Sequence, residues 1–99
     1  MEKSDVYSFG VLLLQLLTSK HAMFRSSDGK VHKYLVDWFL LNVECGCLLE
    51  VVDDSIREKG SAEQFQAFME IALRCTREKG EERPAMKEVV LELRRIKGL

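Results

Sequence analysis

The stretch from Val6 to Leu17 limits what this chain can fold into more than any other part of it. Val6, Phe9, Val11, Leu12, Leu13, Leu14, Leu16 and Leu17 put apolar groups on nearly every side of a helix over 5–18. A helix that is apolar all round is stable in water only when other protein encloses it. Gln15 interrupts the stretch, and its length falls well short of the roughly 20 residues that cross a bilayer, so it reads as a buried helix and not as a membrane span. Ser4 and Asp5 suit its start, where a side-chain oxygen accepts from free backbone N–H groups.

The remaining segments are amphipathic or polar. Residues 19–30, SKHAMFRSSDGK, lose the apolar periodicity and gather Ser, Asp and Gly, the pattern of a loop. Val31, Tyr34, Leu35, Trp38, Phe39 and Val43 then follow the spacing of a helix over 31–45, which Gly46 ends. The run from Leu48 to Asp54 has no second strand to pair with, so it reads as a connector with one helical turn. Ser61-Ala62-Glu63-Gln64 has the capping-box form, and Phe65, Phe68, Met69, Ala72 and Leu73 continue it as a helix. A charged turn over 76–83 leads to Pro84, expected as the first residue of a last helix whose inner stripe is Met86, Val89, Val90, Leu93 and Ile96. The fold class expected is all-α, about four helices with connectors and no sheet.

With 99 residues the chain has room for one domain around one small core. Fifteen Lys and Arg against sixteen Asp and Glu leave a net charge of -1, which provides no field to attract nucleic acid or anionic lipid. Met1-Glu2-Lys3-Ser4-Asp5 lacks the basic and then apolar order of a secretory signal. Three cysteines, Cys45, Cys47 and Cys75, form an odd set that favours free thiols in a reducing, cytosolic compartment.

Residues able to carry chemistry are few. Phosphate transfer requires a glycine-rich cradle, a lysine on the phosphates, metal-holding acids and a group that orients the nucleophile. No G-x-G-x-x-G, G-x-x-x-x-G-K, H-R-D or D-F-G occurs. His21 and His32 lie too far apart to ligate one metal from one helix face, and Cys45-Gly46-Cys47 offers two donors where zinc takes four. Cys75 falls on the inner side of its helix and reads as a small apolar group. Adjacent Asp53 and Asp54 point apart and stay solvated, so no residue is assigned a catalytic, cofactor-binding or metal-binding role. Arg83 stands out in the charged turn, because its planar fork suits a carboxylate partner.

Ser4-Asp5-Val6-Tyr7-Ser8-Phe9-Gly10-Val11 resembles the S-D-V-[WY]-S-[FY]-G-V signature that opens the central buried helix of the C-terminal lobe in protein kinases. Glu82-Arg83-Pro84-Ala85-Met86, followed by Glu88-Val89-Val90, is similar to the start of the last lobe helix in plant receptor-like kinases. Leu16-Leu17-Thr18, Leu35-Val36-Asp37-Trp38 and Ala72-Leu73-Arg74-Cys75 resemble the wall-associated branch or its neighbours. Gln15 departs from the Glu common at its position, and Ser19 from the Gly.

The resemblance implies that residues 1–99 are a partial kinase domain, the C-terminal lobe alone, without N-terminal lobe, catalytic loop or activation segment. Asp5 then matches the aspartate that braces the catalytic loop, Gly10 a motif glycine, and Arg83 the arginine that pairs with the glutamate of the A-P-E motif. The parent family uses ATP and Mg to phosphorylate protein Ser/Thr, on the cytoplasmic side of a plasma membrane to which a single span often anchors it. This chain is expected to be cytoplasmic, to hold neither ATP nor Mg, and to be catalytically inactive. The alternative is a non-catalytic module that docks on kinases or signalling partners through residues 31–45, with Tyr34, Trp38 and Phe39 as its partner surface. Incomplete covering of the first helix implies exposed apolar surface and self-association.

Overall fold

The computed structural model describes residues 3–21, 23–25 and 32–96. In chain order they form α1 (Lys3–Thr18), β1 (Met23–Arg25), β2 (His32–Tyr34), α2 (Leu35–Glu44), a 3-10 turn (Leu48–Val51), α3 (Asp54–Arg57), α4 (Ala62–Cys75), a second 3-10 turn (Gly80–Glu82) and α5 (Met86–Arg95). The architecture is that of an all-helical lobe in which α1 lies on α4, with α2 and the first 3-10 turn closing one side and α5 resting on α4.

Five details differ from the sequence expectations. A minimal antiparallel ribbon is present, pairing Met23 with Tyr34, Phe24 with Lys33 and Arg25 with His32. Three-residue strands are too short to show alternation, and they exist because pairing satisfies backbone groups on either side of the intervening segment. The ribbon takes the residues expected to open the second helix, so α2 begins at Leu35 with Tyr34 extended before it. A one-turn helix, α3, adds a fifth. Pro84 lies outside α5, which begins at Met86 after Ala85; a residue before proline is held extended, and Arg83 has φ -83° and ψ 146°. Ser4 and Asp5 sit inside the first turn of α1 and not ahead of it, with Asp5 placed to complement the positive end of the helix dipole.

Other expectations hold. Ser61 caps α4 by accepting from the Gln64 backbone N–H at 3.1 Å while the Gln64 side chain accepts from Ser61 N–H at 2.9 Å. Gly46 follows α2 with φ +75°, the left-handed conformation a glycine adopts without strain. Leu48–Val51 provides the helical turn of the connector, and Val51 and Val52 point into the core.

That core comprises Val6, Leu13, Leu14 and Leu17 of α1, Leu35 and Phe39 of α2, Phe65, Met69, Ile71, Ala72 and Cys75 of α4, and Val89 of α5, together with the two valines. Its centre is a close crossing. A Cβ built on Gly10 would lie 2.8 Å from Cys75 Cβ and 2.8 Å from Thr76 Cγ2. Neither atom can yield, since the first is fixed to the α4 backbone and the second belongs to a side chain held by Thr76 Oγ1 donating to the Ala72 carbonyl at 2.8 Å. Gly10→Ala should therefore lower unfolding stability by about 1–3 kcal/mol, and Gly10→Val by more. Urea unfolding of the two variants checks this, and an unchanged midpoint for Gly10→Val would contradict the crossing.

Candidate functional site

Among the described residues, α1 is enclosed on one side only. Val6, Gly10, Leu13, Leu14, Leu17 and Thr18 are buried against α4 and α2, but Leu12 is 52% and Leu16 63% exposed. With Asp5 and Ser8, also exposed, they form one strip at helical spacing along the outer side of α1. Among the described residues no group donates to the Asp5 carboxylate. The strip is thus an apolar track that opens on an uncommitted acid.

Arg83 lies at the same end of α1. Its Nε donates to the Arg77 carbonyl at 2.6 Å, one terminal nitrogen to the Lys3 carbonyl at 3.2 Å, and the other to the Glu78 carbonyl at 3.0 Å. The guanidinium also lies 4.8 Å from the centre of the Tyr7 ring, within cation–π range. Lys3 returns the contact, donating from Nζ to the Arg83 carbonyl at 2.5 Å. The sequence suggested a carboxylate partner for Arg83; within the described residues it instead gathers three carbonyls from the charged turn and from α1. A guanidinium has five N–H donors, so two remain for a further acceptor. Tyr7 and Lys3 were not singled out from sequence, because nothing in a solvated turn announces which helix end it will meet.

The residues expected to form a partner surface do not act together. Phe39 is fully buried in the core and forms no surface at all. Trp38 is half-buried against that core, with Lys20 Nζ 5.0 Å from its ring centre. Tyr34 alone of the three is open, at 62% exposure, and its outward neighbours on α2 are Asp37, Leu40 and Leu41. Leu35 and Phe39, four residues apart, share the face of α2 that packs into the core, so the apolar spacing that defines the helix also buries Phe39.

Two polar links brace the frame around these features. Arg74 and Glu92 form a two-pronged ion pair joining α4 to α5, which raises the arginine's proton affinity and lowers the glutamate's. Ser19 leaves α1 with φ +59° and donates to the Asp53 carboxylate at 3.1 Å. Ser55 donates to the same carboxylate, and the two hydroxyls, Ser55 foremost, hold the Asp53 carboxyl below its ordinary range. This disposes of Asp53 and Asp54 as a pair: Asp53 is tied to serines, while Asp54 lies exposed at the start of α3 beside Arg57. His21 is exposed, and the side chain of His32 lies outside the described set. Among the described residues no three His, Cys, Asp or Glu side chains converge as metal ligands, and no helix is long and apolar enough to cross a membrane.

No family model matches the sequence. Relatives nevertheless cover it almost end to end. Wall-associated receptor kinase 3 of Arabidopsis thaliana is 41% identical over 96 residues, which are 97% of this chain and 13% of that protein. Putative wall-associated receptor kinase-like 16, from the same plant, is 38% identical over 97 residues, 98% of this chain and 22% of that protein. Among solved structures, the pseudokinase domain of BIR2, an immune regulator of the RLK/Pelle family, superposes with a TM-score of 0.81 at 36% identity, over 97% of this chain and 28% of that one. This chain is a C-lobe segment of a plant receptor-like kinase. The receptor-kinase segment spans about an eighth to a fifth of the length of these two curated relatives. Within it Asp5, Gly10 and Arg83 take distinct places: an open acid, a helix crossing and a turn clamp.

Truncating the clamp should be felt throughout the receptor-kinase segment. Arg83→Ala removes three donors from carbonyls and a cation from Tyr7, with an expected loss of roughly 1–2 kcal/mol. Arg83→Lys should recover only part of it, because one ammonium cannot span the three acceptors. Thermal melts of the two variants measure the order, and a wild-type melt for Arg83→Ala would refute the clamp.

Proposed function

We propose that these residues serve as the helical floor of a receptor-type Ser/Thr kinase domain and perform no phosphate transfer of their own. The open strip of α1 carries the reading: Asp5, Ser8, Leu12 and Leu16 present an apolar track and an unpartnered acid, a surface suited to being covered by more protein. In this reading the cover is the remainder of a kinase domain. Asp5 accepts from backbone N–H groups of the catalytic loop, and the two spare N–H groups of Arg83 meet the A-P-E glutamate. The whole domain would transfer the γ-phosphate of ATP to protein Ser/Thr hydroxyls on the cytoplasmic face of the plasma membrane.

The residues in hand do not fit ATP and magnesium. The sequence contains no glycine-rich cradle, H-R-D or D-F-G, and the described acids do not converge, so no catalytic step is assigned to them. Calorimetric titration of the purified chain with Mg-ATP should give no saturable heat, and a protein substrate should gain no phosphate. A stoichiometric nucleotide complex would overturn the reading. Left uncovered, the α1 strip makes self-association the expected behaviour of the isolated chain.

A second reading, a docking module acting on other kinases, is favoured by one observation: Tyr34 at the end of β2 and Leu40 and Leu41 of α2 are exposed, at 62%, 39% and 64%. Replacing Tyr34 by Ala and Leu41 by Glu should then weaken binding to an immobilised receptor-kinase domain by about tenfold or more. Absence of saturable binding by the unaltered chain at micromolar concentration would remove this reading.

A further inference from the structure

Cys45 and Cys47 take no part in either reading, yet the fold holds them together. Cys45 follows the last residue of α2 and Cys47 precedes the 3-10 turn. Three backbone bonds shape the link: Cys45 N–H donates to the Leu41 carbonyl at 3.2 Å, Gly46 N–H to Val43 at 3.2 Å, and Cys47 N–H to Asn42 at 2.9 Å. Gly46, at φ +75°, turns the chain back between them, and a Cβ there would meet nothing within 4 Å. Glycine is therefore required here for its backbone and not for space. The result is two free thiols with their sulfur atoms 2.7 Å apart, Cys45 exposed and Cys47 half-buried.

We propose that Cys45-Gly46-Cys47 is an oxidisable dithiol site whose reactant is a low-molecular-weight disulfide and whose product is an internal Cys45–Cys47 disulfide. The Cys45 thiolate attacks one sulfur of the small disulfide, breaking its S–S bond and releasing one small thiolate. Cys47 then gives up its proton and attacks the Cys45 sulfur of the mixed disulfide, releasing the second. Two protein thiols are oxidised, one small disulfide is reduced to two thiols, and the two protein protons end on those thiols.

The order of attack follows from the surroundings. The Cys47 thiol is pushed up to about 11, first by its hydrogen bond with Cys45, then by burial and by the charges of Cys45 and Glu50. Cys47 thus keeps its proton while it is hydrogen-bonded to Cys45, and this largest cause is removed once the Cys45 sulfur is bound in a mixed disulfide. Cys75 supplies an internal contrast, since it is buried on α4 and burial pushes its thiol up; it should stay reduced until the chain unfolds.

The test is incubation of the folded chain with oxidised glutathione, followed by acid quench, alkylation and mass spectrometry. The unaltered chain should lose two hydrogens, with the link mapped to Cys45 and Cys47 and Cys75 still alkylated after unfolding. Its glutathione adduct should live at least about tenfold less long than the adducts of Cys45→Ser and Cys47→Ser, because the second thiol already lies within reach. Persistent adducts on the unaltered chain, disulfides between chains, or no oxidation under conditions that modify the single variants would each overturn the proposal. Both replacements are in the turn, at exposed Cys45 and half-buried Cys47, and the unaltered chain alone provides the main readout.

Discussion

The crossing of α1 and α4 at Gly10 is the contact on which the rest of the structure depends. With no side chain between them, the two helices approach until Gly10 faces Cys75 Cβ and the Thr76 methyl, and that approach brings Leu13, Leu14 and Leu17 into reach of Phe65, Met69 and Ala72. The other elements attach to this pair. The connector is anchored where Asp53 N–H donates to the Leu17 carbonyl at 2.9 Å, α5 is joined through Arg74 and Glu92, and the charged turn is held to the start of α1 by Arg83 and Lys3. A close-packed interior of this kind transmits a change at its narrowest point to every layer built on it.

Features governed by local rules were readable from the residues. The capping box of Ser61 and Gln64, the left-handed Gly46 and the helical state of α1 each follow from neighbouring side chains and backbone preferences. Features that depend on distant partners were not. The ribbon of Met23–Arg25 and His32–Tyr34 is a pairing across the chain with no alternation to announce it. It delays α2 to Leu35, while Phe39, expected on a partner surface, lies in the core on the face it shares with Leu35. The carbonyls that meet Arg83 come from Arg77, Glu78 and Lys3, a set that exists only after α1 and the turn are side by side.

The candidate site was legible in its residues but not in its state. Asp5, Gly10 and Arg83 were all marked by motif, yet only the structure shows that, among the described residues, Gly10 is already fully used, Arg83 partly used and Asp5 unused. Ser19 is instructive in the same way. It stands where glycine is common among receptor-like kinases, adopts the left-handed conformation glycine favours, and retains it by donating to Asp53. A serine there meets backbone strain that glycine would not, and a side-chain hydrogen bond partly offsets it.

The mutual clasp of Lys3 and Arg83 joins residues 80 positions apart. On a ribosome α1 therefore leaves the exit tunnel long before either α4 or the arginine that secures it has been synthesised. Until then its leucines have no native neighbours from this segment, and a nascent chain in that condition is a client for chaperones. Packing of α1 on α4 and the clasp on Lys3 thus wait for translation of residues 62–83.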